Sequence, residues 1–224
     1  MIEELASIFT KYNVMYIVSG VGLTLLIAAV TLIFGTILGT VLALLSTYGK
    51  FSAKMAGAIV EIFRNTPLLL WVFVAIAAVP LPSLLGRALV ATVVFNAAII
   101  SEIVRGGLNA IPKGQIEAGR SQGFSFFQIM IYIVLPQTFR RIVPTLTSQS
   151  ITIIKDTSYL AQIGIAELMF CIKKLMSTAN TFTGHPITAQ DVFILFGTAA
   201  VIYFVINFSL SIAVRRMNRK NSRV

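Results

Sequence analysis

The sequence predicts an all-α polytopic membrane protein with five transmembrane helices, the N-terminus outside and the C-terminus inside. Three observations lead there. Of the 224 residues, 57% are hydrophobic and only 12% charged, with a mean hydropathy of +0.88, whereas a soluble domain carries about 25% charged residues. Apolar stretches longer than the ~20 residues that cross a ~30 Å hydrocarbon core recur along the chain. Basic residues, finally, are divided unevenly between the connections. One Cys (Cys171) and one His (His185) leave no internal disulfide framework and exclude the common zinc and iron-sulfur ligand sets, so no metal site is expected.

Between Lys11 and Lys50 lie 38 residues without a formal charge, and the first span is expected from Tyr16 to about Leu45. Gly35 and Gly39 within it form a GxxxG, a spacing that lets a second helix approach closely but that also arises by chance in Gly-rich apolar segments. Ser46 to Lys50 reads as a turn at the membrane surface. The second span runs from Ala53 to about Val79 and is interrupted at Arg64-Asn65-Thr66-Pro67. Pro80-Leu81-Pro82 cannot continue a helix and marks a short external connection. Leu84 to about Val104 is the third span, with Arg105-Gly106-Gly107 at its end. A more polar stretch follows, and then a fourth, less hydrophobic span from about Ile142 to Ile163. The connection at about 164–190 is polar and is expected to carry a short helix lying in the interface. Val192 to Val214, 23 residues with no charge, is the fifth span. The chain therefore reads as a single transmembrane domain, 1–224, with a cytoplasmic segment at about 105–141.

Orientation follows from the positive-inside rule. Lys50 and Lys54, five basic residues between 105 and 141 (Arg105, Lys113, Arg120, Arg140, Arg141) and five in the tail (Arg215, Arg216, Arg219, Lys220, Arg223) lie on one side. Lys11, Arg87, Lys173 and Lys174 lie on the other. The richer side is cytoplasmic. The net charge of +10 is then accounted for by topology and by contact with anionic inner-leaflet lipid, and no basic stripe interleaved with aromatics points to nucleic acid. Glu3 and Glu4 stand where a secretory signal would have a basic region, so a cleaved signal peptide is not expected.

The cytoplasmic segment Ile111 to Gly123 has the marks of a short helix. Pro112 suits a first turn, Glu117 lies early enough to favour the positive end, and Gly123 is a candidate C-terminal stop. A rod of about ten residues is too short to be stable alone in water and needs a partner. Phe124, Phe126, Phe127, Ile129, Met130, Ile131 and Ile133 follow, then Pro136, so the next helix is expected along the membrane surface before the chain turns upward.

Glu117-Ala118-Gly119, with Gly123 four residues beyond Gly119 and Ile133-Val134-Leu135-Pro136 further on, resembles the EAA signature of bacterial ABC importer permeases. In that family the loop docks the membrane subunit on its ATPase. The resemblance extends over most of the chain from Glu61 onward. Glu61 to Leu69, Ser101 to Leu108, Ile111 to Ala118, Leu135-Pro136-Gln137 and Lys155 to Leu160 look like the polar amino acid permeases, the group of histidine, arginine, glutamine and glutamate importers. It implies the type I ABC importer permease fold, with five spans and an external N-terminus, working as a homo- or heterodimer around one path. It implies partners as well: an ABC ATPase dimer, a second permease copy or homologous permease, and an extracytoplasmic amino-acid-binding protein. Gln115, Glu117, Ala118, Gly119, Arg120 and Gly123 would then form the ATPase-coupling helix. The chain departs from the pattern at Gly119, where Ala is usual, at Gln122 in place of Leu, at Trp71 after the Thr-Pro-Leu-Leu run in place of a frequent Gln, and at Ile99 in place of a common Tyr.

Ionisable residues inside a span cost about 2.5–3.5 kcal/mol each on insertion scales and usually face a cavity or a partner. Arg64 and Asp156 are both expected near the middle of the bilayer. An amino acid presents a carboxylate and an ammonium together. Arg64, helped by Thr66 and by backbone freed at Pro67, is the candidate for the carboxylate, and Asp156 with Thr157 and Ser158 for the ammonium. The other reading is a buried ion pair, Arg64 with Asp156 or Lys155 with Asp156, that only holds helices together. Glu61 is expected to pair with Lys54 or Arg64, and Glu102 with Arg105 one turn on.

The chain has no G-x-x-x-x-G-K-[ST], so it does not cradle ATP phosphates in the usual way, and no cofactor is expected in it. ATP and magnesium would be held by the partner ATPase. Function is therefore expected to be that of a non-catalytic permease subunit in the bacterial plasma membrane, moving glutamine, glutamate or a basic amino acid inward by alternating access. The alternative is a proton-coupled secondary transporter that uses Asp156 or Glu102 as its coupling carboxylate.

Overall fold

The computed structural model describes residues 8–49 and 51–221, and all regular structure among them is helical. Glu3, Glu4, Lys50 and Arg223, which enter the expectations above, lie outside the described residues. In chain order the helices are α1 (Lys11–Tyr48), α2 (Phe51–Arg64), α3 (Leu68–Ala78), α4 (Leu84–Asn109), α5 (Lys113–Ser121) and α6 (Phe126–Ile129). A π-turn (Met130–Val134) then leads into α7 (Leu135–Asp156), which tightens into a 3₁₀ helix (Thr157–Ile163). After it come α8 (Leu168–Ser177), α9 (Ala179–Thr183) and α10 (Ala189–Asn221). Residues 11–48, 84–109 and 189–216 form helices long and apolar enough to cross a membrane.

The α1–α4 pair is the spine of the molecule. Where helices are surrounded by lipid tails, apolar side chains gain little by leaving lipid for protein, so association depends on close packing and on hydrogen bonds. Gly35 and Gly39 supply the first. A Cβ at Gly39 would lie 2.8 Å from the Ala97 carbonyl oxygen and 3.1 Å from Ile100. The GxxxG is thus a real helix contact. Hydrogen bonds supply the second: the Thr31 and Thr92 hydroxyls meet at 3.0 Å across the same seam, fully buried.

The expected second span is two helices, α2 and α3, bent by 108° at the break. Length along α2 therefore does not convert into depth. Thr10 and Ser83 cap α1 and α4 by accepting from Asn13 and Gly86. The surface helix expected before Pro136 is absent as a separate element, because α6, the π-turn and α7 run on without a break in helical backbone. Ser125 and Gln128 close a capping box at the start. The wider π-turn just precedes Pro136, which has no N–H to give to a regular ladder. The fourth apolar stretch is accordingly α7, shifted seven residues toward the N-terminus of its expected start, from Ile142 to Leu135.

The connection at about 164–190 holds a helix, as expected, and that helix, α8, is packed against the bundle. It packs lengthwise along the N-terminal half of α1, with Leu168 and Cys171 against Gly20 and with Lys174, Leu175 and Thr178 beside Tyr12, Asn13 and Tyr16. Glu167 starts it. Fully buried, the Glu167 carboxylate accepts from the Met169 and Phe170 backbone N–H groups at 3.0 and 2.8 Å, from the Thr24 hydroxyl at 3.5 Å and from the Tyr203 hydroxyl at 3.2 Å. One side chain thereby ties α1, α8 and α10 together.

The packing makes a direct prediction. Gly39→Ala is expected to destabilise the purified protein by roughly 1–3 kcal/mol, since its Cβ would press on a backbone carbonyl. Gly22→Ala, whose Cβ meets nothing within 4 Å, is expected to be neutral or slightly stabilising. Heating in detergent followed by size-exclusion chromatography measures both.

Candidate functional site

The break between α2 and α3 is held by local chemistry. Thr66 donates its hydroxyl proton to the Ile62 carbonyl at 2.7 Å and accepts from the Trp71 indole N–H at 2.7 Å. The Trp71 ring also lies against Phe63, with centroids 4.2 Å apart. Thr66 therefore has no proton left for a substrate carboxylate in this geometry and acts as the bolt of the break. Pro67 caps α3 without any side-chain hydrogen bond, so the first N–H groups of α3 are not capped by a side chain at the break. Positive helix ends of this kind favour anions.

Arg64 ends α2 directly before that break. Its Nη1 lies 3.2 Å from Glu102 Oε2 on α4. Glu102 is held more closely by Arg105, with Nε 2.8 Å from Oε1 and Nη2 2.6 Å from Oε2. The expected Glu102–Arg105 pair is present, and Arg64 joins it instead of pairing with Glu61 or Asp156. Two guanidinium groups around one carboxylate leave a net positive charge. Glu102 stands seven residues from the end of α4 at Asn109, about 10 Å at helical rise. Arg64 thus meets α4 toward the Asn109 end of that helix, and the 108° bend means that its place along α2 does not give its depth.

Asp156 is the last residue of α7 and is half-buried, at the point where the helix tightens to 3₁₀. Among the described residues no cation lies within ion-pair distance of its carboxylate, so neither proposed pair, with Arg64 or with Lys155, is formed. Thr157 is buried and donates to the Ile154 carbonyl at 2.9 Å, while Ser158 is half-buried. The 3₁₀ helix and the α2–α3 break share one apolar cluster through Leu160, Ile163, Phe63, Leu68 and Trp71. The two candidate segments thus border the same packed region.

The rod expected on the cytoplasmic side is α5. It ends in a full Schellman motif: Gly123 has φ +82°, its N–H bonds the Arg120 carbonyl at 2.9 Å, and the Phe124 N–H bonds the Gly119 carbonyl at 3.0 Å. At the other end Pro112 is the cap and not a helical residue, and Glu117 is fifth in the helix, with no acid in the first turn. The dipole argument for Glu117 therefore fails. Glu117, Ala118, Arg120 and Gln115 are exposed, while Gly119 is buried. A Cβ at Gly119 would lie 2.9 Å from Ile129 and 3.0 Å from Ile133, so the residue that departs from the EAA pattern is the one seated on the π-turn region. One polar contact ties the rod to α7, and a second ties the end of α4 just before the rod to α7. Gln137 donates to Gln115 at 3.4 Å, and Arg141 donates to the Ala110 carbonyl at 2.9 Å.

Residues 35–223 match the model of the family described as binding-protein-dependent transport system inner membrane component. The chain belongs to this family. Among curated relatives, it is 36% identical over 219 residues to the probable glutamine ABC transporter permease protein GlnP of Bacillus subtilis (strain 168), covering 93% of this chain and 95% of that one. It is 34% identical over 222 residues to the glutamate/aspartate import permease protein GltK of Escherichia coli O6:H1, covering 92% and 94%. A solved amino acid ABC transporter with histidines superposes with a TM-score of 0.75 at 25% identity, covering 92% of this chain and 94% of that one. The inward-facing MetNI methionine ABC transporter superposes at 0.70 with 23% identity, over 93% and 99%, which speaks for the fold.

As an inner membrane component of such a system, this permease depends on ATP hydrolysis by a separate subunit, and nothing in the comparisons supports proton coupling. Three polar features of the permease escape a reading of the sequence alone. Trp71 locks the break, Gln149 donates to Asn96 at 2.9 Å between α7 and α4, and Glu167 is buried. The signal for Glu167 was available in part, as an acid directly before an apolar run is a helix-cap pattern.

Trp71→Phe keeps the ring contact with Phe63 and removes the bond to Thr66. It is expected to cost about 0.5–1.5 kcal/mol, and adding Thr66→Val should then cost less than it does alone. Melting of the four proteins of that cycle in detergent measures the coupling.

Proposed function

We propose that this permease conducts a polar amino acid, glutamine, glutamate or a basic one, into the cytoplasm by alternating access. The observation that carries the reading is Arg64 at a helix break beside the uncapped N-terminus of α3. Half-helix N-termini at breaks in membrane helices suit anionic substrate groups, and irregular backbone at that depth is tolerated where it lines a cavity. Arg64 and the α3 N-terminus take the carboxylate, with Thr66 and Pro67 shaping the break. Asp156, free of any ion pair among the described residues, takes the ammonium with Thr157 and Ser158. The amino acid permeases among the relatives support this substrate class.

Five spans fit this reading: α1, the α2–α3 pair, α4, α7 with its 3₁₀ extension, and α10, with the N-terminus outside. A second copy or a homologous permease completes the path, two ATPase chains grip the α5 rods, and a binding protein delivers the substrate from outside. Gln115, Glu117, Ala118 and Arg120 form the exposed grip. Gly119 and Gly123 seat and end the rod. Closure of the ATPases moves α5, and α5 moves α7 directly through the Gln115–Gln137 bond and through the seat of Gly119 on Ile129 and Ile133, which leads into α7.

Substrate-stimulated ATP hydrolysis in proteoliposomes, with the binding protein present, tests the site. Arg64→Ala and Asp156→Asn should each raise the half-saturating substrate concentration by about 10- to 100-fold, the range expected for loss of one hydrogen bond to a charged group. Unchanged substrate dependence in both variants contradicts the assignment.

A further inference from the structure

We infer that Glu102 is an internal stand-in for the substrate carboxylate, which it exchanges for Arg64, and that Arg105 is the residue that makes the exchange possible. The inference rests on the reading that Arg64 receives the carboxylate.

The geometry of the three side chains is unequal. Arg105 lies one turn from Glu102 on the same helix and engages both carboxylate oxygens, at 2.8 and 2.6 Å. Arg64 reaches from a different helix and touches only Oε2, at 3.2 Å. Removing Arg64 from this cluster leaves Glu102 neutralised through two charge-assisted bonds, the stronger class of hydrogen bond. Without Arg105, releasing Arg64 would strand a carboxylate in a membrane helix, where an unpaired charge is costly. Arg64 is also free to leave. Its side chain is 45% exposed, it is the final residue of α2, and the non-helical link Asn65-Thr66-Pro67 follows it.

A substrate carboxylate arriving at the break therefore competes with one Glu102 oxygen for a guanidinium that has further N–H donors to offer. When substrate leaves, Glu102 takes Arg64 back, so the emptied site does not present a bare cation. Glu102 sets how tightly the carboxylate is held without touching the substrate, and Arg105 sets how strongly Glu102 competes. Both are positioning residues. Their effects on affinity have opposite signs, which a general loss of structure would not produce.

The test measures equilibrium binding of radiolabelled L-glutamine, L-glutamate and L-arginine to the intact permease–ATPase complex in nanodiscs. Glu102→Gln should tighten binding of the amino acid that the wild type takes, by about two- to fivefold, the range set by partly exposed ion pairs. Arg105→Gln should weaken it by a similar factor. Competition by the decarboxylated analogue, 4-aminobutanamide for glutamine, should be the same in all three proteins. Unchanged affinity in Arg64→Gln, or no binding of any of the three amino acids by the wild type, overturns the carboxylate site itself. Weaker binding in Arg64→Gln together with unchanged or weaker binding in Glu102→Gln overturns the exchange alone.

Discussion

Close approach of α1 and α4 at Gly39 is the constraint on which the rest of the structure depends. Lipid tails are as apolar as leucine, so nothing pushes these helices together except the fit of their surfaces and a few buried hydrogen bonds. With the Ala97 carbonyl against Gly39, the Thr31–Thr92 bond closes, and α4 becomes a fixed post. Three polar contacts from other parts of the bundle are made to that post. Arg64 meets it at Glu102, Gln149 of α7 meets it at Asn96, and Arg141 of α7 meets it at Ala110.

On the other side of α1 a different solution operates. Gly20 lets α8 approach, and the Glu167 carboxylate gathers donors from α1, α8 and α10. A carboxylate buried with four donors is stable where an unpaired one would not be. Polar groups thus have two fates in this protein. Thr31 with Thr92, Gln149 with Asn96, and Glu167 with its four donors are bonded at helix crossings and hold the bundle, whereas Arg64 at the α2–α3 break and Asp156 at the end of α7 keep bonding capacity in reserve. The proposed substrate site is built from the second group.

Much of this was legible in the sequence. Apolar runs gave the positions of α1, α4 and α10, Gly123 gave the end of the rod, and Glu102 with Arg105 gave an i,i+3 pair. What escaped depends on geometry that no single-residue pattern encodes. Pro67 announces a break but not a 108° bend, so a depth for Arg64 counted along a straight helix has no basis in the fold. Pro136 suggested a new helix, because a π-turn upstream, which accommodates the missing N–H, has no sequence signature. The polar composition after residue 164 suggested an interfacial helix, while small residues facing one another, Gly20 and Cys171, draw α8 onto α1. Thr66 has the right chemistry for a substrate donor, but its proton is committed to Ile62, a fact set by local backbone geometry.

On the function proposed above, the contacts of Gln137 with Gln115 of α5 and of Arg141 with Ala110 just before it would carry force from an ATPase into α7 and along it to Asp156. The most direct measurement is thiol crosslinking from the exposed face of α5. Cys171, the chain's one cysteine, is buried under α1, so Ala118→Cys introduces the single accessible thiol. In membranes holding the assembled transporter, a short bifunctional reagent on that thiol should capture the ATPase subunit and stop ATP-driven amino acid uptake. Absence of any adduct with the ATPase, while uptake continues at the full rate, would contradict the account.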